Sequence, residues 1–128
     1  MHSVDDLHIL IEKKLAEQKF IQEPVELYEP LDYTLNQGGK RMRPLLVLLA
    51  CELFDGVIEK ALLPALGIEV FHNFTLIHDD IMDQAPLRRN FPTVHKKWNI
   101  NQAILSGDVM AFIANDCFLH TPSKYLLK

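Results

Sequence analysis

Apolar side chains recur at steps of three and four residues along most of the chain, which is the spacing of amphipathic helices. Ser3 is a candidate N-cap with Asp6 at the capping-box position, and Pro24 ends this first segment. The apolar face of the segment consists of Val4, Leu7, Ile11 and Leu15. Because the chain contains no run with strand-like alternation and no internal repeat, the pattern predicts an all-α fold.

The same periodicity predicts a second and a third helix. The second contains Pro30, which either kinks it or starts a new helix, and it stops at the turn Gly38-Gly39. The third begins at Pro44. Its run 45–51 is apolar on every side, so we expect this helix at the centre of the packing.

Two further predicted helices flank an irregular basic loop. The fourth helix is expected from about Pro64 to about Met82, and the fifth from about Asn101 to His120. In the fifth helix the side chains expected to point inward are Ile104, Val109, Phe112 and Ile113. We expect these helices to form a single domain over residues 1–128.

The composition is that of an ordinary globular protein, with 48% hydrophobic and 23% charged residues. The net charge of -4 gives no basic field that would attract nucleic acid or an anionic membrane. The longest apolar run, 45–51, is too short to span a bilayer, and residues 1–12 do not resemble a signal or transit peptide. Cys51 and Cys117 lack metal-site spacing, which favours reduced core thiols in a cytoplasmic protein.

The segment 77–83 is the most informative for chemistry, because it places Asp79, Asp80 and Asp83 together. On a helix Asp79 and Asp83 lie one turn apart on the same face, so their charges repel each other. In an apolar helix this pair requires a cation. Oxygen ligands without cysteine suit Mg²⁺, which takes one or two carboxylates and shares its remaining positions with water and substrate phosphates. The segment therefore predicts a Mg²⁺-diphosphate site.

A polar stripe continues from these carboxylates along the fourth helix, through Thr75 to His72. A core histidine and helix-capping aspartates are the structural alternative. However, an acidic cluster at a helix C-terminus opposes the helix dipole and is a poor choice for stability alone. His78 lies about 100° around the helix from Asp79, which favours a structural hydrogen bond over metal binding.

Two basic clusters are candidates for binding the phosphates. The first cluster consists of Lys40, Arg41 and Arg43. It follows the Gly-Gly turn and precedes a helix start, where free N–H groups also favour an anion, but the pattern is not that of a P-loop. The second consists of Arg88 and Arg89, five and six residues after Asp83. Lys96 and Lys97 extend this basic loop, although adjacent lysines are typical of a solvated surface.

In their order and approximate spacing, these motifs resemble those of the trans-isoprenyl diphosphate synthases, the polyprenyl synthetase family. The resemblance covers about residues 25–115 and rests on 38–44 (GGKRMRP), His72, 79–83 (DDIMD), 87–89 (LRR) and 92–95 (PTVH). It implies an all-α ring of helices around a deep central cavity, of which this chain has the N-terminal helices. It also implies a prenyltransferase that joins an allylic diphosphate to isopentenyl diphosphate head to tail.

The resemblance assigns roles to individual residues. Asp79 and Asp83 match the Mg²⁺ ligands, with Asp80 as a supporting carboxylate. Lys40, Arg43, His72 and Arg89 match the isopentenyl diphosphate site, and Arg88 matches the residue that binds the allylic diphosphate. The implied mechanism is electrostatic: Mg²⁺ and Arg88 stabilise the departing diphosphate, the alkene attacks the allylic cation, and the released diphosphate is the usual base.

The chain also departs from the family pattern. Members are more than twice as long and carry a second aspartate-rich motif that this chain lacks, and Asn90 stands where the family usually has Gly. Because residues 122–128 stop before the cavity could close, we expect a fragment with little activity by itself. The alternatives are a class I terpene cyclase, which needs no second diphosphate pocket, an HD-type phosphohydrolase, which needs a further His and Asp, and a non-catalytic helical module.

Two further expectations concern product and assembly. Phe74 lies five residues before Asp79, about one turn deeper on the same side, where a bulky ring would block a growing prenyl tail. In the family such an aromatic residue accompanies short products such as farnesyl or geranylgeranyl diphosphate. The resemblance also implies a homodimer. The apolar fifth helix, with Ile104, Leu105, Val109, Phe112 and Phe118, predicts self-association independently.

Overall fold

The computed structural model of the protein describes residues 1–121, which form six helices and one short β-hairpin. The helices are α1 (Val4–Glu17), α2 (Val25–Leu35), α3 (Met42–Leu53), α4 (Ile58–Met82), α5 (Val94–Lys97) and α6 (Ile100–Leu119). The hairpin strands are β1 (Leu87–Arg88) and β2 (Phe91–Pro92). The capping box of α1 is confirmed: Ser3 Oγ accepts from Asp6 N at 3.1 Å, and Asp6 Oδ2 accepts from Ser3 N at 3.0 Å.

The long helix α4 divides the structure into two apolar clusters. On one side α4 packs against α6 and α2, and on the other it packs against α1 and α3. The buried members of the first cluster are Phe20, Leu31, Leu35, Leu66, Val70, Ile77, Val94, Ala103, Met110, Ala114 and Cys117. Those of the second are Leu7, Ile11, Leu45, Leu48, Ile58, Ala61 and Ala65. Residues of α4 thus contribute to both clusters, which fixes this helix relative to its neighbours.

Three predicted helix features differ from the structure. α4 starts at Ile58, so Pro64 lies inside the helix rather than at its first turn. α3 starts at Met42, so Pro44 lies in its first turn. Backbone N–H groups in the first turn have no acceptor within the helix, so proline is tolerated there. α3 is not central, because it contacts the rest of the fold along one side and leaves Leu46 and Leu53 58% and 76% exposed. α2 continues through its proline as one helix.

The predicted fifth helix is α6, and its inward face was predicted wrongly in part. Phe112 is 75% exposed and Ile104 is 39% exposed, while Val109 and Ile113 are half-buried. The buried positions are Ala103, Ser106, Gly107, Met110, Ala114 and Cys117. Small residues face α4 because the two helices approach closely: a Cβ on Gly107 would lie 2.4 Å from His78 Nε2. A search for bulky apolar residues does not find such a face.

The basic loop between α4 and α6 is more regular than expected. β1 and β2 pair antiparallel, with Leu87 opposite Pro92 and Arg88 opposite Phe91. The two turn residues, Arg89 and Asn90, both have positive φ, at 51° and 66°. This is the backbone of a tight two-residue hairpin turn, in which glycine is easiest and asparagine is tolerated. The replacement of the family's usual glycine by asparagine is therefore compatible with the turn.

Within residues 1–121 no helix is long and apolar enough to cross a membrane. Cys51 and Cys117 are both free thiols; Cys117 is buried, as predicted for a core thiol, whereas Cys51 is only half-buried. The expectation about residues 122–128 lies outside the described residues.

Candidate functional site

The C-terminal end of α4 presents two carboxylates to solvent. Asp79 lies in the last turn of the helix and Asp83 is its C-cap residue, whose N–H donates to Asp79 O at 2.8 Å. Both residues are exposed, and neither forms an ion pair with another residue of the described chain. The helix therefore holds two free carboxylates next to each other, although their charges repel and oppose the helix dipole.

Asp80 has a different environment from its two neighbours. It is 5% exposed, and both of its carboxylate oxygens accept hydrogen bonds from Arg88. Arg88 Nε lies 2.9 Å from Oδ2, and Arg88 Nη2 lies 2.8 Å from Oδ1. These hydrogen bonds and the charge of Asp80 raise the pKa of the Arg88 guanidinium. Asp80 thus orients Arg88 beside the exposed carboxylates of Asp79 and Asp83. It is not available as a third acidic metal ligand.

The donor set at this helix end fits a hard divalent ion. Within residues 1–121 no three His, Cys, Asp or Glu side chains come together as metal ligands. That arrangement provides neither a closed protein cage nor the His and Asp set of an HD-type phosphohydrolase. Two adjacent carboxylates with open space are compatible with Mg²⁺, which keeps several waters and takes further oxygens from a phosphorylated substrate.

A basic cavity of about 530 Å³ lies beside α3 and α4. Five residues that the sequence assigned to phosphate or substrate binding line it: Lys40, Arg41, Arg43, His72 and Arg89. They come from the loop before α3, the first turn of α3, the middle of α4 and the hairpin turn. The fold therefore brings these residues together from positions as far apart as 40 and 89 in the chain. We call this space the anion cavity.

His72 lies beside Arg43 in the anion cavity. Burial, and next the nearby Arg43 guanidinium, lower the pKa of the His72 imidazole below its ordinary range. Arg43 Nη1 lies 3.2 Å from His72 Nε2. Because a guanidinium only donates, His72 Nε2 accepts this hydrogen bond and the ring proton of the neutral form lies on Nδ1. His72 therefore orients Arg43 and leaves its own Nδ1–H as a donor.

Arg89 connects the hairpin to the glycine loop. Its Nη1 donates to Gly38 O at 2.8 Å, and a Cβ on Gly39 would lie 3.3 Å from Arg89 Nη2. Gly38 and Gly39 both have positive φ, at 80° and 140°, so glycine serves the backbone conformation as well as this close approach. Burial, and next the charge of Arg41, lower the pKa of Arg89. Unlike Arg88, Arg89 has no carboxylate partner among the described residues.

Arg41 does not belong with the exposed cations of its cluster. It is 4% exposed and donates to Glu12 Oε1 at 2.9 Å, to Glu69 Oε1 at 3.1 Å and to Leu35 O at 2.8 Å. The spacing of three basic residues cannot distinguish such an internal ion pair from a ligand contact. The available signal was Glu69, a carboxylate in an otherwise apolar part of α4 that requires a buried partner.

Phe74 differs in placement from the sequence expectation. Five residues correspond to about 140° around the helix from Asp79, so the ring is not on the same side as the carboxylates. Phe74 instead packs edge-to-face between Phe71 and His78, with centroid distances of 5.3 and 4.9 Å. His78 Nε2 lies 3.1 Å from Ile104 O, which is the structural role that its helix position favoured.

Sequence reasoning also missed Tyr33. Its hydroxyl donates to Pro92 O at 2.9 Å, and its ring packs against Phe91 and Trp98 with centroid distances of 6.5 and 5.2 Å. Lys97 Nζ lies 4.9 Å from the Tyr33 ring centroid, so this lysine contacts an aromatic face. Tyr33 thereby holds the hairpin that carries both arginines, and no motif in the sequence marks it.

Comparison with known proteins identifies the family. Residues 24–128 match the Polyprenyl synthetase family. A geranylgeranyl diphosphate synthase of Methanosarcina mazei is 46% identical over 90 residues, covering 70% of this chain and 28% of the relative. A crystal structure of geranylgeranyl pyrophosphate synthase has a TM-score of 0.91 and 44% identity, covering 97% of this chain and 38% of that chain. The geranylgeranyl pyrophosphate synthetase of Geoglobus acetivorans gives a TM-score of 0.89 and 39% identity, covering 94% of this chain and 39% of that chain.

The chain therefore belongs to the polyprenyl synthetase family, and it has the all-α fold of the isoprenoid synthases that the sequence predicted. The chain spans between 26% and 34% of the length of three curated relatives that it matches. These relatives are named as geranylgeranyl diphosphate or pyrophosphate synthases, which are prenyltransferases.

Proposed function

We propose that this chain provides the diphosphate-binding part of a prenyltransferase that condenses an allylic diphosphate with isopentenyl diphosphate. The observation that carries the proposal is the pairing of two chemically different sites within one domain. Among the described residues, the exposed cations of the anion cavity have no carboxylate partner, and the Glu69 carboxylate in its wall is paired with Arg41, so the cavity suits isopentenyl diphosphate bound without metal. The end of α4 presents free carboxylates next to Arg88, so it suits a metal-bridged allylic diphosphate.

Mg²⁺, held by Asp79 and Asp83, would supply charge stabilisation of the leaving diphosphate. Arg88, already oriented by Asp80, would donate to an oxygen of the same diphosphate as negative charge develops on it. Lys40, Arg43 and Arg89 would bind the second diphosphate and orient its alkene toward the allylic carbon. No protein nucleophile is required, because the released diphosphate can take the proton that is lost after carbon–carbon bond formation.

The acidic end of α4 is tested in a chimera. Residues 24–121 replace the aligned segment of the Geoglobus acetivorans enzyme, which supplies the rest of a complete synthase. Asp79→Ala and Asp83→Ala should each lower turnover by about two orders of magnitude or more, because charge stabilisation of the leaving group is lost. Asp108→Ala removes an exposed carboxylate on α6 and is the matched control. Activity near that of the control in both variants would refute the metal assignment.

We propose short products, such as farnesyl or geranylgeranyl diphosphate. The observation that supports this is the aromatic row of Phe71, Phe74 and His78 along α4, which reaches α6 at His78. Phe74 would limit the length of a prenyl tail that runs along this aromatic side of α4. It does not lie on the side of the helix that carries Asp79. Phe74→Ala in the chimera should lengthen the products, as measured by chromatography of the dephosphorylated alcohols. An unchanged product distribution would exclude this role.

We further propose that residues 1–128 act as one domain of a cytoplasmic homodimer. The exposed side chains of α6, with Phe112 at 75% and Leu105 at 55%, support an interface there. Sedimentation velocity at tens of micromolar should give a dimer, and Phe112→Ser should weaken it. A stable monomer would contradict the proposal.

Two alternative functions make different predictions. A terpene cyclase would have no use for the anion cavity, because it binds only one diphosphate substrate. A non-catalytic module would leave the chimera inactive.

A further inference from the structure

A carboxylate lies in the wall of the anion cavity. Glu69 lines this space together with the basic residues, and its side chain is 4% exposed. It lies one turn before His72 on α4. An ionised carboxylate at this position would repel a diphosphate, and burial prevents water from screening it. The cavity therefore needs a positively charged partner that neutralises Glu69.

Arg41 is placed to be that partner. Its Nη1 donates to Glu69 Oε1 at 3.1 Å, while its Nε donates to Glu12 and its Nη2 to Leu35 O. Arg41 lines the cavity as well, but its side chain is 3% exposed and its Nε, Nη1 and Nη2 already donate to protein acceptors, so little of it is free to bind a ligand. Asn73 Nδ2 also donates to Glu69 O and, at 3.3 Å, to Glu69 Oε1, which holds the carboxylate in one orientation.

Arg41 also fixes the backbone on which the exposed cations are mounted. It is the N-cap residue of α3 in the left-handed conformation, with φ of 50°, and it lies directly after Lys40 and two residues before Arg43. Its contacts join this turn to α1, α2 and α4. A non-glycine residue in this conformation is retained where surrounding contacts hold it.

Resting on the proposed function of the anion cavity, we infer that Arg41 is a positioning residue for diphosphate that acts by neutralising Glu69 and not by touching the ligand. It differs in this from Lys40 and Arg43, which are exposed and free to bind. A purely structural Arg41 would affect stability only. If Arg41 bound the ligand directly, removing the charge of Glu69 would not restore the affinity lost with Arg41.

The test is calorimetric titration of the 128-residue chain with inorganic diphosphate without metal, together with thermal melting of each variant. Arg41→Met should weaken diphosphate binding by about tenfold, because a buried carboxylate then faces the anion unpaired. Glu69→Gln keeps the acceptor for Arg41 and removes the charge, so binding should become several-fold tighter. Arg41→Met/Glu69→Gln should bind more tightly than Arg41→Met and should melt at a higher temperature than that single variant.

Two controls separate this inference from the proposed function. Arg43→Met removes an exposed cavity cation and should weaken binding, whereas Lys60→Met removes an exposed cation at the start of α4 and should not. If Arg43→Met leaves the Kd unchanged, the anion cavity is misassigned and the inference falls with it. If Arg43→Met weakens binding but Arg41→Met does not, the inference alone is wrong. A double variant that binds as weakly as Arg41→Met, or a Glu69→Gln variant without tighter binding, also overturns it.

Discussion

The acidic end of α4 and the anion cavity are built in different ways. The carboxylates of the first lie within residues 79–83 on one helix end, so helix geometry alone places them. The cations of the second come from a loop, one helix and a hairpin turn, and their relative positions depend on contacts between those elements. Local geometry therefore specifies the proposed metal site, whereas tertiary packing specifies the proposed site for the metal-free diphosphate.

The two regions also treat charge differently. At the end of α4 two carboxylates remain free and the third is paired with Arg88. In the anion cavity the exposed cations remain free, and the buried cation Arg41 is paired with Glu69 and Glu12. Each site thus combines free charges with an internal carboxylate–guanidinium contact: Asp80 with Arg88 in one, and Glu12 and Glu69 with Arg41 in the other. A substitution of Asp80 or Arg41 should act on the ligand indirectly, through the residue that it pairs with, and a substitution among the free charges should act on the ligand itself.

The largest effect that sharpens this comparison should come from the ion pair at the end of α4. In the chimera, Asp80→Asn should lower turnover by about 100-fold, because Arg88 loses its charged partner and its orientation toward the leaving group. Asp79→Asn should instead raise the Mg²⁺ concentration needed for half-maximal rate. Turnover measured against Mg²⁺ concentration separates the two. Equal shifts of that concentration would mean that Asp80 is a metal ligand and not an orienting group.

A tenfold effect on one substrate is expected at the anion cavity. Arg43→Ala or Lys40→Ala should raise the KM for isopentenyl diphosphate by about tenfold, because each removes a charge-assisted hydrogen bond worth roughly 1.5 kcal/mol at an exposed position. The KM for the allylic diphosphate should change much less. Lys60→Ala serves as the control for loss of an exposed positive charge. If both KM values rise together, the two substrates share a single pocket and the comparison drawn above does not hold.

The sequence was informative where one element determines the geometry. The capping box of Ser3, the polar stripe of α4 and the motif residues followed from local spacing. It was uninformative where a side chain's role depends on a partner distant in the chain. Arg41 was grouped with free cations because nothing nearby in sequence reveals Glu12 and Glu69 as its partners. The face of α6 was misjudged because close packing against His78 selects small residues at positions such as Gly107.

A smaller effect should follow from a change outside both sites. Tyr33→Phe removes the hydrogen bond to Pro92 O, worth about 1 kcal/mol, and loosens the hairpin that carries Arg88 and Arg89. Affinity of the 128-residue chain for inorganic diphosphate without metal should fall a few-fold, because Arg89 depends on this hairpin for its position. Tyr28→Phe is the matched control, since the Tyr28 hydroxyl has no protein partner within the described residues. Identical affinities for the two variants would show that the hairpin is held without Tyr33.

The smallest expected effect concerns protonation of His72. Burial and Arg43 lower the pKa of this imidazole in the folded chain, so the unfolded chain binds a proton there at higher pH. His72 therefore contributes stability above the ordinary histidine pKa, and this contribution is lost as the pH falls. Between about pH 7.5 and about pH 5.5, the free energy of unfolding should fall more steeply for wild type than for His72→Gln, which keeps an acceptor for Arg43 but does not titrate. Urea unfolding at each pH isolates His72 by the difference between the two proteins. Parallel slopes would show that burial and Arg43 do not disfavour the charged form of His72.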